Sequence, residues 1–172
     1  MKKLCTLVLA VLFLSIFSQN IFAQDEQVVV PGIKLSGPRL GVTYVSPGEL
    51  ADNLDSRYGM HPFFTQFGWQ FEYRYFTLEN GTSGLVELVA LLGGMDQGVI
   101  FPSASLMIGL RNAQGLEFGF GPNISPSGSA LVFAVGVTAQ SQNINFPINF
   151  AVVPSNKGIR FSLLVGFNAR KK

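Results

Sequence analysis

The stretch Thr65–Tyr75, "TQFGWQFEYRY", carries an aromatic ring at every second position: Phe67, Trp69, Phe71, Tyr73 and Tyr75. Gln66, Gly68, Gln70, Glu72 and Arg74 alternate with them. A period of two is that of an extended strand, so the rings share one face and the small or polar residues share the other. Two architectures accept such a strand. A soluble sandwich buries the rings and wets the polar face; a membrane barrel turns the rings to lipid and lines its interior with the polar side.

The rest of the chain bears on the choice. Seven further stretches repeat the alternation, each bounded by Gly, Pro, Asn or Ser. They lie at about 36–46, 82–93, 101–111, 116–121, 129–140, 144–152 and 159–168. In 101–111, Ala104, Leu106, Ile108 and Leu110 oppose Ser103, Ser105, Met107, Gly109 and Arg111; in 129–140, Leu131, Phe133, Val135 and Val137 oppose Ala130, Val132, Ala134, Gly136 and Thr138. The stretch at 82–93 is apolar on both faces, and its orientation rests on Glu87. Pro147 in the seventh stretch predicts distorted or incomplete pairing there. The faces opposite the bulky residues hold Gly, Ala, Ser and a few Arg and Glu rather than the lysines of a solvated sheet. Beyond residue 23, lysine occurs only at Lys34, Lys157, Lys171 and Lys172. Small residues opposite large ones suit an eight-stranded barrel, whose bore is only wide enough to be filled by side chains. The five rings are therefore expected to face lipid.

The amino terminus is consistent with export. "MKK" followed by the apolar run Leu4–Phe17 and by small Ala23 predicts a Sec signal peptide over residues 1–23. Cys5, the only cysteine, falls within it, so a mature chain would have neither a disulfide nor a thiol metal site. Twelve Lys and Arg face ten Asp and Glu; without Lys2 and Lys3 the balance is ten to ten, which gives no basic surface for nucleic acid. The expected order is signal peptide 1–23, a short extension 24–33, a barrel 34–168 and a basic tail 169–172. The fold class is all-β: an antiparallel eight-stranded up-and-down transmembrane β-barrel.

With both termini at the periplasmic end, the inward positions Arg39, Glu72, Arg74, Glu87, Arg111 and Glu117 fall in the same half of the bore. Arg160 falls near the opposite mouth. Three arginines and three glutamates at similar depth are expected to interlock as a charged plug. The connection Pro47–Pro62 is the longest and reads as an external loop. It contains His61, the only histidine, near Ser46, Asp52, Asp55 and Ser56. No nucleophile motif frames either serine, and one histidine with two carboxylates is a weak metal set. Neither a catalytic residue nor a cofactor is assigned.

Over about residues 34–168 the chain resembles the small eight-stranded outer-membrane barrels of the OmpX and OmpA-transmembrane-domain kind, and its Phe- and Gly-rich wording is similar to exported barrels of the Bacteroidetes type. Those families carry an assembly signal in the last strand, which "NKGIRFSL" fits with Asn156, Gly158, Phe161 and Leu163. The family terminus is usually aromatic, whereas Phe167 here is followed by "NARKK". The resemblance implies a non-enzymatic outer-membrane anchor for surface loops, with outer-membrane lipid and the barrel assembly machinery as partners. The alternatives are a lipid-modifying enzyme using His61 and a soluble periplasmic barrel holding an apolar ligand.

Overall fold

The computed structural model describes residues 32–141 and 144–170. The expected signal peptide, most of the extension and the last two residues of the expected tail lie outside the described residues. Strands β1 (Ile33–Val45), β2 (Phe63–Thr77), β3 (Ser83–Gly93), β4 (Phe101–Arg111), β5 (Leu116–Ser125), β6 (Gly128–Ser141), β7 (Ile144–Ser155) and β8 (Gly158–Gly166) pair antiparallel, each with the next. β1 also pairs with β8, from Arg39↔Gly166 to Val45↔Arg160, and this closes the sheet into a barrel. A last strand, β9 (Asn168–Arg170), continues the eighth stave beyond a break at Phe167 and pairs with both β1 and β7.

One detail differs from the sequence reading and one agrees with it. Pairing runs from Ile33 to Arg170, so the first residues of the expected tail are part of the closing stave. Pro147 pairs with Thr138 of β6. On its other side the ladder passes directly from Ile148↔Val165 to Asn145↔Asn168. A proline has no N–H to give, and the interruption faces the break at Phe167.

The barrel is inside out relative to a soluble one. Phe67, Trp69, Phe71, Tyr73 and Tyr75 all point outward and are 42–50% exposed. Val86 and the exposed Leu88, Ala90 and Leu92 of β3 lie on the outer face with them, and Glu87 lies inside. The outer band continues through Leu106, Ile108 and Leu110 of β4, Phe118 and Phe120 of β5, and Phe133 and Val135 of β6. Inside lie charged and amide side chains, with Arg39, Glu72 and Arg111 at 2% exposure or less. Glycine makes room for them. A Cβ on Gly136 would lie 2.5 Å from Asn149 Nδ2, 2.7 Å from the Ile148 carbonyl and 3.0 Å from Glu117 Oε1.

The two rims differ. One carries both ends of the described chain and short connections at 78–82 and 112–115. The other carries turns at 126–127 and 156–157, a 3-10 turn at Met95–Gln97, and helix α1 (Glu49–Tyr58). α1 replaces the loop expected at 47–62. Its Leu50, Ala51 and Leu54 pack with Val45, Met60, Phe64 and Phe101 in a buried apolar cluster over the mouth, with Tyr58 and Val99 against it. Glu49 and Asp52 in the first turn and Arg57 in the last complement the helix dipole. Gly59 ends the helix at φ 62°, its N–H donating to the Asp55 carbonyl at 2.9 Å.

Candidate functional site

The bore holds one connected polar network to which every stave contributes. Arg111 of β4 is its hub. Its Nη1 and Nη2 donate to Glu72 Oε1 and Oε2 at 2.6 and 2.8 Å, and its Nε donates to Glu117 Oε2 at 2.6 Å. Such bidentate, charge-assisted contacts are among the strongest hydrogen bonds in proteins. Glu117 also accepts from Thr138 Oγ1 of β6 at 3.0 Å and from Asn149 Nδ2 of β7. Glu72 accepts from Asn168 Nδ2 of β9 at 3.1 Å, and Asn168 Oδ1 accepts from Arg39 Nη2 of β1 at 2.8 Å. Arg39 Nε donates to Gln70 Oε1 at 2.8 Å, and Gln70 Nε2 donates to Glu87 Oε1 of β3 at 2.6 Å.

The register explains the division of partners. Arg111 and Glu117 are direct cross-strand neighbours, so their pair follows from the β4–β5 ladder. Glu72 and Glu87 also face each other directly, across β2–β3. Two like charges there are unfavourable. Arg111 draws Glu72 away, and Gln70 takes Glu87. The structure thus brings Arg39, Glu72, Glu87, Arg111 and Glu117 into one network, with Arg74 Nη2 at 3.9 Å from Glu72 Oε1. The links between Arg39 and the carboxylates run through the amides of Gln70 and Asn168. Those amides, with Thr138 and Asn149, carry much of the connectivity and were absent from the charged set read from the sequence. Their signal was modest: each is a polar residue on the inner face of its strand.

Arg160 stands apart. From β8 its Nη2 donates across the bore to Asn123 Oδ1 of β5. Asn123 Nδ2 in turn donates to Ser103 Oγ and Ser105 Oγ, each at 2.9 Å. Thr43 Oγ1 and Ser162 Oγ are 2.7 Å apart nearby. Between this group, the network at Gln70 and Glu87, and Phe64 and Phe101 of the apolar cluster lies a cavity of about 50 Å³. That volume is enough for a few waters.

The remaining sequence candidates lie at the α1 rim. His61 is exposed, and its backbone N–H donates to Gln97 Oε1 at 2.6 Å. Ser46 Oγ accepts from the Ile159 N–H at 2.9 Å, and Ser56 donates to the Asp52 carbonyl at 2.7 Å. These contacts hold the rim together, and none joins a serine hydroxyl to the imidazole. Among the described residues no group of three or more His, Cys, Asp or Glu is gathered as a metal site would need. Glu49 pairs with Lys157 at 2.9 Å, and the hydrogen bond and charge of that lysine hold its carboxyl below the usual range. Asn156 lies in the β7–β8 turn, and Gly158 opens β8 against Leu50. Phe161 stacks on Phe150 with centroids 6.2 Å apart, and Leu163 points outward.

No protein-family model matches the sequence, and no curated protein does. Solved structures do match. Ail, the attachment invasion locus protein of Yersinia pestis, superposes with a TM-score of 0.51 at 10% identity, over 81% of this chain and 97% of its own. The backbone structure of the Yersinia pestis outer membrane protein Ail in a phospholipid bilayer nanodisc superposes at 0.50 with 13% identity, over 80% and 99%. At such identities the likeness is one of fold. The chain has the closed, antiparallel, eight-stranded up-and-down architecture of the outer-membrane barrels.

Proposed function

We propose that this protein is a non-enzymatic integral outer-membrane anchor with a sealed bore. Helix α1 and the Met95–Gln97 turn form its compact external surface, available for contact with a partner or for adhesion. The observation that carries the reading is the inverted distribution of side chains. A continuous band of Phe, Leu, Ile, Val, Trp and Tyr covers the outside, and the buried charges are inside. Open sheet edges are not tolerated in a bilayer, and the β1–β8 pairing joins the first stave to the last. The same distribution in water would expose a large apolar belt with nothing to cover it. In this reading Asn156, Gly158, Phe161 and Leu163 serve recognition by the barrel assembly machinery.

The network spanning all eight staves supports a closed bore, and the small cavity argues against a soluble carrier of apolar ligands. Fractionation and planar-bilayer recording test the proposal together. The protein should resist carbonate extraction from outer membranes, migrate differently in cold and boiled SDS samples, and show little steady conductance. Recovery in the soluble periplasm, or large stable ion-selective currents from the unmodified barrel, would contradict it.

A further inference from the structure

The charges facing the bore do not balance. Arg39, Arg74, Arg111 and Arg160 point inward against Glu72, Glu87 and Glu117, four positive to three negative among the described residues. The first three arginines and the three glutamates share one half of the bore. The surplus is Arg160, which is 8% exposed and whose hydrogen-bond partner is the neutral amide of Asn123. A guanidinium has five N–H donors, and a buried charge without a counter-charge is strongly unfavourable.

Other donors face the same cavity. Gln66 is 6% exposed, and its Nε2 has no acceptor. Ser103 and Ser105 accept from Asn123 through their hydroxyl oxygens, so their own protons are free to be donated. Of Thr43 and Ser162 only one can donate in their mutual bond, which leaves the other's proton free as well. The one carboxylate lining the cavity, Glu87, accepts from Gln70 through Oε1. The lining also holds one acceptor without a donor, Asn149 Oδ1, and the apolar Val89, Met107 and Val132; the unmatched donors outnumber that acceptor, and with one surplus positive charge and a volume of about 50 Å³ they call for a small anionic acceptor. A halide with an accompanying water fits that volume, whereas a polyanion or a large organic acid does not.

We propose that the cavity beneath α1 is a binding site for a small monovalent anion of the halide type, held by Arg160 with Gln66, Ser103 and Ser105. The proposal rests on the interior of the barrel and is independent of where the barrel resides. The test uses the full barrel refolded in zwitterionic micelles. Thermal unfolding is followed in sodium chloride and sodium bromide against sodium gluconate at equal ionic strength, with a bromide-soaked crystal measured at the bromine edge. The expected result is a saturable rise in Tm with either halide and an anomalous peak beside the Arg160 guanidinium. Arg160→Gln should raise the half-saturating concentration by at least about tenfold. If that variant does not refold, Gln66→Leu and Ser105→Ala should each weaken the halide response severalfold. Equal curves in halide and gluconate with no bromine peak would mean that water alone fills the cavity. A halide response undiminished in these variants would be a general salt effect. Either result overturns the proposal.

Discussion

Glu72 and Arg111 are the residues on which the interior turns. Each is almost wholly buried; loss of Arg111 takes the close cation from both Glu72 and Glu117, whereas loss of Glu72 leaves Arg111 with Glu117. Arg111→Met should therefore destabilise the barrel by about 3–5 kcal/mol, and Glu72→Gln, which leaves Arg111 paired with Glu117, by less. The double variant should recover only the part of the Arg111→Met loss that comes from Glu72, because Glu117 remains without its cation. Urea unfolding in micelles, arranged as a double-mutant cycle, measures the coupling directly; additive losses would show that the pair does not act as a unit. On the outer face, Trp69→Arg should impair insertion by about 2–4 kcal/mol if its site is near mid-bilayer, measured as the folded fraction in lipid vesicles. Unchanged insertion would argue against a lipid-facing Trp69. Which side chains point inward was legible because alternation in 65–75 and its neighbours is strict. Which of them meet was not. Partners across a barrel depend on register and stagger, and the amides of Gln70 and Asn168 look like ordinary polar positions in a linear chain.

At the scale of elements, the strands were legible and the helix was not. In β3 the single charged residue, Glu87, set the orientation of an otherwise ambiguous apolar run. The segment 47–62 is rich in turn formers, and its Leu50, Ala51, Leu54 and Tyr58 make only a narrow helical stripe. Ten residues of helix are marginal in isolation. α1 is stabilised where those side chains meet Val45, Phe64 and Phe101 at the mouth, a surface that exists only once the barrel has closed. Leu54 is the most deeply buried residue that α1 contributes to that contact, at 1% exposure. Leu54→Asp should undock the helix: hydrogen exchange of the α1 amides should rise by at least about an order of magnitude while amides of β2 to β7 keep their protection. Uniformly faster exchange throughout the barrel would instead make α1 part of the global cooperative unit.

For the molecule as a whole, one inversion organises everything described: apolar side chains outward, charges and amides inward, and small residues wherever the bore is crowded. The sequence carried that inversion in its alternation and in its scarcity of lysine, which is why the class of fold could be read from it. The terminus was harder to read, because Asn168–Arg170 joins the barrel through pairing with β1 and β7, and neither contact has a local signature. Cysteine scanning with nitroxide labels along β2 tests the inversion most directly, since Cys5 is the only native cysteine and lies in the expected signal peptide. In reconstituted bilayers, labels at Phe67, Trp69, Phe71 and Tyr73 should be accessible to oxygen and shielded from a water-soluble nickel reagent. Labels at Gln66, Gln70 and Arg74 should be immobile and reached poorly by both. Nickel access at the aromatic positions, or loss of the two-residue period, would contradict an inside-out barrel in lipid.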